Sequence, residues 1–499
     1  MAVAAEPVWS VDPRTGKARE QVAVEATAEE IDRVVRAAHT TLGALADRTA
    51  RAALLRTAAD LLDEAREHVI EAADAETALG PVRLTGELAR TTAQLRSFAE
   101  VVDAAAFLDV RISRPDPATT PPTPDLRRMK IPLGVVAVYA AGNFPLAFSV
   151  PGGDTASALA AGCPVVIKAH PDHPATSELC AALLRRAAVK AGLPADVVSL
   201  VHGFEAGVGL IRHPLVAAAG FTGSVRGGRA LFDAAAARPV PIPFHGELGS
   251  LNPVVITPAA AEARAEEIGA GLAGSMTLGE GQFCTKPGFV LAPRGDAGDR
   301  FVAALTAAVS ETEPGVMLDH RMRGAFLDGV RERAGLPGVT APVTPGAGGE
   351  HTVSAGVLTV DAGLLPEGGH APLLEECFGP VTVVARYDGR EQLSAVLGLL
   401  PGNLTATLHI AEEDPGAASL LAELTPLAGR ILVNGWPTGV AVAAAQHHGG
   451  PYPATTSTGT SVGGTAIERW LRPVTYQSTP GHLLPPELRD DNPLGVPRN

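Results

Sequence analysis

The sequence predicts an α/β protein built on parallel sheet. Three observations predict it. From Leu133 onward, short apolar runs alternate with amphipathic stretches at the spacing of right-handed βαβ units. The alternation resumes after Pro253, beyond a second Gly-containing segment. Between the N-terminal helical stretch and the first of these runs lies Phe107 to Pro132, whose prolines remove backbone donors and fix φ, so it cannot be a helix interior. The first alternating region is a nucleotide-binding type of domain, the second a further α/β unit.

Taken in order, residues 1–25 show no regular period. Thr27 to Ala38 reads as a helix, capped by Thr27 and carrying Glu29 and Glu30 in the first turn, where the helix dipole favours acid. Amphipathic helices continue to Ala105, interrupted near Gly80-Pro81. Leu108–Ile112 and Leu126–Ile131 flank a proline-rich tip, which gives either an extended hairpin arm or a surface loop. Strands are expected at Val135–Ala140, Val165–Ala169, Val197–Val201 and Val216–Phe221, with helices at Gly152–Ala161, Ala175–Ala191, Gly207–Arg212 and Ser224–Ala237. In the second region, strands are expected at Pro253–Ile256, Phe289–Ala292, Val381–Arg386, Leu404–Ile410 and Ile431–Asn434, and helices at Ala261–Leu278 and Asp296–Val309. Residues 335–371 are Gly/Pro-rich and read as surface loop, and Gly435 to Gly464 has no helical period. Trp470 to Gln477 reads as an edge strand able to pair with the arm.

Composition excludes several classes. A net charge of −14 over 499 residues disfavours nucleic-acid and anionic-membrane binding. The four cysteines lack any CxxC pair or regular spacing, so neither a disulfide framework nor a zinc site is expected. No basic n-region opens Met1 to Ser10 and no run of about 18 apolar residues occurs, so a cytoplasmic protein is expected.

Several residues stand where chemistry can occur. Cys284 lies in the loop Gly281-Gln-Phe-Cys-Thr-Lys-Pro-Gly288, and cysteine is the most nucleophilic side chain near neutral pH, although a lone cysteine is more often inert packing. Asn143 follows the first strand of the parallel sheet, where an amide holds an oxyanion or merely completes a turn. Lys168 ends the next strand, suited to ribose or phosphate contact or simply snorkelling to the surface. Gly220-Phe-Thr-Gly-Ser-Val-Arg-Gly-Gly228 is a Gly-rich turn into a helix start, able to receive a phosphate, while the G-x-G-x-x-G fingerprint is absent. Glu247, set between apolar segments, is expected to have a raised pKa suited to a general base, or else to form a salt bridge. Glu375 and Glu376 precede a tight turn. Cys163, Cys180 and Cys377 read as packing, and His447-His448 as a substrate wall or surface pair rather than metal ligands.

Together, Gly-Asn-Phe-Pro-Leu, Val-Ile-Lys, Phe-Thr-Gly-Ser with Gly228 five residues after Gly223, Glu-Leu-Gly-x-x-Asn-Pro, Gly-Gln-x-Cys and Glu-Glu-x-Phe-Gly-Pro resemble the aldehyde dehydrogenase superfamily, in the family's order across residues 143–380. The resemblance implies an aldehyde dehydrogenase-like fold: a Rossmann-type parallel-sheet cofactor domain, an α/β catalytic domain and a bridging β-hairpin. It divides the chain into N-terminal helices of the cofactor domain (1–106), an oligomerisation hairpin (107–132), a Rossmann-like cofactor-binding part (133–250), a catalytic domain (251–435) and a C-terminal return with an oligomerisation strand (436–499). It further implies Cys284 as nucleophile, Glu247 as general base and Asn143 as oxyanion donor beside the Cys284 N–H. Lys168 would meet the adenosine ribose, Glu376 the nicotinamide ribose, and Gly223, Ser224 and Gly228 the pyrophosphate turn. The implied reaction is NAD(P)-dependent oxidation of an aldehyde to an acid through a thiohemiacetal and a thioester, in a homodimer or homotetramer acting on a small-molecule aldehyde.

Narrower similarity, in residues 141–164, Lys168–Pro171, His245–Leu248 and His448–Thr455, is to the 2,5-dioxovalerate (α-ketoglutarate semialdehyde) dehydrogenase branch, with bacterial fatty aldehyde dehydrogenases as the alternative. Gly142 departs from the tryptophan frequent before the Asn, and Pro171 from the ribose-binding glutamate of many NAD-preferring members. The second departure tips the cofactor to NADP over NAD, against which Phe204-Glu205 stands where some NADP-dependent relatives carry arginine. Arg226 and Lys286 lie near the site in sequence as candidate carboxylate anchors. A cofactor-free cysteine hydrolase or a nucleotide-binding structural protein remain as other classes; neither needs the whole set of residues.

Overall fold

Two sheets, an antiparallel arm and a bundle of N-terminal helices make up the computed structural model, which describes residues 6–498. Met1–Ala5, part of the amino-terminal stretch read above, lie outside the described residues. The first departure from expectation follows at once: instead of irregular chain, Pro7–Asp12 (β1) and Lys17–Val24 (β2) form an antiparallel hairpin. Its faces are largely exposed, so it carries no apolar run to betray it. Helices Ala28–Thr40 (α1), Arg48–Glu64 (α2), Arg66–Thr77 (α3) and Pro81–Ala104 (α4) follow. Thr27 caps α1 as expected, its Oγ1 accepting from the Glu30 N–H at 3.3 Å. Proline at the first position of α4 loses no hydrogen bond and presets φ.

The arm pairs Arg111–Ser113 (β3) with Leu126–Pro132 (β4). The chain then winds through Val135–Tyr139 (β5), Gly153–Ala161 (α5), Val165–Lys168 (β6), Pro174–Lys190 (α6), Val198–Val201 (β7), Phe204–Arg212 (α7), Val216–Thr222 (β8), Val225–Ala236 (α8) and Phe244–Glu247 (β9). These strands form a five-stranded, wholly parallel sheet in the order β7-β6-β5-β8-β9. The central strand β5 is buried at every position, as its unbroken apolar run requires when helices cover both faces.

The second sheet has seven strands. Val254–Ile256 (β10), Pro258–Thr277 (α9), Phe289–Pro293 (β11), Asp296–Ser310 (α10), Gly315–Val316 (β12) and His320–Ala334 (α11) come first. Thr340–Val343 (β13), Gly346–Ala347 (β14), Thr352–Ser354 (β15), Gly356–Asp361 (β16), Val381–Tyr387 (β17), Arg390–Leu397 (α12), Asn403–His409 (β18), Ala417–Leu424 (α13) and Ala428–Val433 (β19) follow, of which β14 and β15 join β12 in a small separate antiparallel sheet, β12-β15-β14. The order is β13-β16-β17-β11-β10-β18-β19, parallel except for β13. Residues 335–371 are therefore not surface loop. Val357 and Leu358 are fully buried in β16, while Pro342 is accommodated because β13 is an edge strand, where a missing donor costs little.

Leu471–Gln477 (β20) returns to pair antiparallel with the whole of β4, as its pattern suggested. At its root Trp470 is fully buried, its indole N–H donating to Ser157 Oγ at 2.7 Å from α5. Among the described residues no helix is long and apolar enough to cross a membrane. Trp470→Ala removes the largest fully buried side chain and should cost about 3–5 kcal/mol. A thermal melt that does not shift downward would contradict this.

Candidate active site

Strand order reverses between β5 and β8, so a crevice opens at the carboxyl ends of these strands. Crossing that edge, Lys168 closes β6, Asn143 follows β5, Gly223 and Ser224 join β8 to α8, and Glu247 closes β9. The Ser224 Oγ accepts from the Gly227 N–H at 3.2 Å and caps α8, whose remaining first-turn amides and positive dipole end suit a phosphate. A Cβ on Gly228 would stand 2.0 Å from Leu248 Cδ2, so only glycine lets α8 seat this close to the Glu247 segment.

Lys168 is buried, its Nζ 4.9 Å from the Phe204 ring centre, and it makes no hydrogen bond or ion pair among the described residues. Burial pushes its pKa down to about 8, against the opposing pull of Asp172 and Glu25. Glu376 approaches from the second sheet: its Oε2 lies 2.7 Å from where a Cβ of Gly249 would be. Burial pushes its pKa up to about 7, opposed by Lys286, the Ser250 N–H and Arg333. An unpaired cation, a capped helix start and a carboxylate with oxygen atoms to accept hydroxyls form a donor and acceptor set that fits a dinucleotide.

Cys284 sits on the loop that follows α9. Gly279, Glu280 and Gly281 take φ of 56°, 58° and 63°, a left-handed turn that throws the chain back against Gly379. Asn252 then fixes the loop. Its Nδ2 donates to the Cys284 carbonyl at 2.8 Å and to the Lys286 carbonyl at 3.0 Å, while its Oδ1 accepts from Ser250 Oγ and Thr405. Asn143 Nδ2 donates to the Gln282 carbonyl at 2.9 Å, which brings the amide against the cysteine loop with its second hydrogen unspent. The Cys284 N–H donates to no acceptor among the described residues.

The third member of the centre is one that sequence reasoning placed elsewhere. His448, read as wall or surface, is 2% exposed. Its Nε2 stands 3.0 Å from Glu247 Oε1 and 3.6 Å from Cys284 Sγ. Ser461 Oγ donates to the other carboxylate oxygen at 3.1 Å, and the donor atoms of Glu247, Cys284 and His448 all lie within 4.8 Å of one another. His448 was marked by the His447-His448 pair and the His448–Thr455 similarity, but not as a partner of Cys284, which lies 164 residues earlier; Ser461, in the same aperiodic 435–464 stretch, had no local signal. Asn252 lay within a motif, but its clamp on the cysteine loop spans 32 residues and is visible only in the fold.

The electrostatics correct one expectation. Burial alone would raise the Glu247 carboxyl, but the His448 imidazole and hydrogen bonds from His448, Cys284 and Ser461 outweigh it and hold the group below its usual value. Cys284 moves the opposite way: burial, then the Glu247 carboxylate and its hydrogen bond, push the thiol well above the usual range. The thiol is thus protonated at rest and faces an ionised base. Of the two suggested anchors, Lys286 is buried with Nζ donating to the Cys377 and Val381 carbonyls at 2.8 and 2.9 Å, and Arg226 is exposed on α8.

Comparison with known proteins agrees with this geometry. Residues 2–328 match the Aldehyde dehydrogenase family. The chain is 48% identical over 454 residues to Alpha-ketoglutaric semialdehyde dehydrogenase 2 of Azospirillum brasilense, covering 90% of this chain and 86% of that protein. It is 43% identical over 481 residues to Alpha-ketoglutaric semialdehyde dehydrogenase of Acinetobacter baylyi, covering 95% and 91%. Among solved structures, 3,6-anhydro-L-galactose dehydrogenase in complex with NAP superposes with a TM-score of 0.79 at 25% identity, covering 95% of this chain and 96% of that one. With the family matched over most of the chain and the reactive residues gathered at one crevice, the chain belongs to the aldehyde dehydrogenase family, and is an NAD(P)-dependent aldehyde dehydrogenase.

Proposed function

We propose that the chain oxidises the aldehyde of 2,5-dioxovalerate to give 2-oxoglutarate, with Cys284 as nucleophile, Glu247 as general base and Asn143 as oxyanion donor. The contact of Glu247 and His448 with Cys284 carries the mechanistic reading, and the two semialdehyde dehydrogenases at 48% and 43% identity support the substrate. Lys168, Gly223, Ser224, Gly228 and Glu376 are proposed to hold the cofactor, with Lys168 and Glu376 at the riboses and the turn at the pyrophosphate.

The Cys284 thiol gives its proton to the ionised Glu247 carboxylate and its sulfur bonds to the aldehyde carbon. His448 Nε2–H, released from Glu247, turns to the sulfur and limits the cost of forming a thiolate in a buried site. The resulting alkoxide is held by the Asn143 amide and the Cys284 N–H, which are in place before charge develops. A nicotinamide held by Lys168, Glu376 and the Gly223-Ser224 turn would supply the two-electron acceptor for the hydride of that carbon, after which Cys284 carries a thioester. Glu247 loses its proton to solvent, then takes one from a water molecule whose oxygen attacks the thioester carbonyl. The C–S bond breaks, the acid leaves, and the proton on Glu247 returns to sulfur.

NADP is the proposed cofactor over NAD. Pro171 presents no carboxylate to a 2′-phosphate, and Arg321 joins Lys168 over the Phe204 ring, its Cζ at 5.5 Å from the centre. The arm sheet β20-β4-β3, whose outer strands join no further strand among the described residues, is the proposed contact of a homodimer or homotetramer. The four free thiols suit the cytoplasm.

Cys284→Ala should abolish oxidation while cofactor binding, followed by fluorescence titration, is retained. Glu247→Gln should leave a single-turnover burst of reduced cofactor, slowed because the Cys284 proton must then pass to water, with the acyl-enzyme accumulating by mass spectrometry; a missing burst would count against deacylation as its main task. The pH dependence follows from the Glu247 charge. In the unaltered protein, inactivation by iodoacetamide should climb with pH without levelling below the ordinary thiol range. In Glu247→Gln one anion is gone, the thiol ionises more readily, and the profile should move to lower pH. An initial-rate panel of 2,5-dioxovalerate, succinic semialdehyde and a medium-chain aliphatic aldehyde, each with NAD and NADP, tests substrate and cofactor together. Preference for the aliphatic aldehyde, or for NAD, would overturn the corresponding assignment.

A further inference from the structure

Four basic side chains surround Cys284 and its neighbours, and two of them are already committed. Lys286 Nζ serves two carbonyls, and Arg430 gives its two Nη groups to the carbonyls of Gly439 and Pro437. The other two, Arg83 and Arg90, lie on one face of α4 with Glu87 between them, at helical spacings of four and three.

Both guanidinium faces are occupied by rings, while two nitrogens of each group are not engaged. Arg83 Cζ stands 5.0 Å from the Phe144 ring centre and 4.7 Å from that of Phe283, the residues that follow Asn143 and precede Cys284. Its Nη2 donates to the Asn143 carbonyl at 2.6 Å, while Nε and Nη1 are buried without a partner. Arg90 Cζ stands 4.9 Å from the Phe148 ring centre, and Phe148 in turn packs 6.0 Å from His448. Arg90 Nε and Nη2 are also buried without a partner. Glu87 does not use these edges: its Oε1 accepts from the Leu146 and Ala147 N–H groups at 2.8 and 3.0 Å. Its Oε2 is buried without a partner, and burial pushes the carboxyl up, opposed by the Ala147 and Leu146 N–H groups and by both arginines, so the three groups carry a net charge of at least +1. Buried guanidinium N–H groups left unpaired are costly; Arg90 Nε and Nη2 share one edge, a planar fork that matches a carboxylate, while Arg83 Nε and Nη1 lie on different edges and offer single donors.

We propose that the free edges of Arg83 and Arg90 form an anion subsite that receives the carboxylate of the substrate while its aldehyde reaches Cys284. This rests on the semialdehyde reading above and gives it the basic anchor that Arg226 and Lys286 do not supply. Aromatic stacking fixes the two planes, so the donors are set before the ligand arrives.

The test compares kcat/KM for 2,5-dioxovalerate and for pentanal, a neutral aldehyde of the same chain length, in the unaltered enzyme, Arg83→Met and Arg90→Met. Loss of a buried charge-assisted contact should lower the ratio of the two by about a hundredfold in at least one variant, with partial recovery in Arg90→Lys. An unchanged ratio in both variants, including an equal fall for both substrates, would overturn the subsite. A second measurement needs no variant. In the unaltered holoenzyme, glutarate should protect Cys284 from iodoacetamide and neutral glutaramide should not; equal protection, or none, would also overturn it. If the unaltered enzyme shows no preference for 2,5-dioxovalerate yet glutarate alone protects, the substrate assignment fails and the anion subsite stands.

Discussion

The Asn252 side chain joins the Cys284 loop to the core of the second sheet. Its amide nitrogen takes the carbonyls of Cys284 and Lys286, its oxygen takes donors from Ser250 and Thr405, and its own backbone N–H is held by Asn403 at 3.0 Å. A buried amide so fully satisfied is rigid, because every alternative orientation strands a polar group. Asn252 also takes a left-handed φ of 51°, a conformation that asparagine tolerates better than most residues. On one side of this clamp runs the sheet that carries the cysteine loop. On the other is the segment from Glu247 to Ser250, which continues from the parallel sheet of the cofactor crevice. The relative placement of thiol, carboxylate and crevice therefore passes through one side chain.

Around that clamp the centre is an exercise in opposed charges. Glu247 and Cys284 cannot both be anionic in a buried space without large cost, and the arrangement resolves this by keeping the carboxylate charged and the thiol neutral. His448 biases the pair toward this state through its contact with the carboxylate. Its nearness to sulfur lets it serve the other partner once the proton has moved. Ser461 holds the far carboxylate oxygen, so Glu247 has little freedom to swing away.

How much of this could be read in advance varied with the kind of signal. The βαβ winding was legible because buried parallel strands such as Val135–Tyr139 are unbroken apolar runs and their helices are periodic. Cys284, Glu247, Asn143 and Lys168 were legible as chemistry at strand ends and in Gly-flanked loops, and the resemblance gave them roles. The exposed hairpin β1–β2 was not legible, since neither face is buried enough to impose alternation. The strand Gly356–Asp361 was masked by flanking glycine and proline, although four of its six residues are buried. The rise expected for the Glu247 pKa failed for a different reason. Burial was inferred correctly, but the compensating partner, His448, is 201 residues away and nothing local announces it.

The route of the C-terminal chain has a consequence for how the enzyme comes into being. The segment that carries His448 and Ser461 runs on through Trp470 into β20, so the centre and the arm are closed by the same stretch of polypeptide. On the ribosome, Cys284 emerges 164 residues before His448, and during that interval the thiol lacks the imidazole that completes its surroundings. Cys284 and Glu247 are thus made first, and His448 and Ser461 join them only once the chain beyond β19 has been laid down.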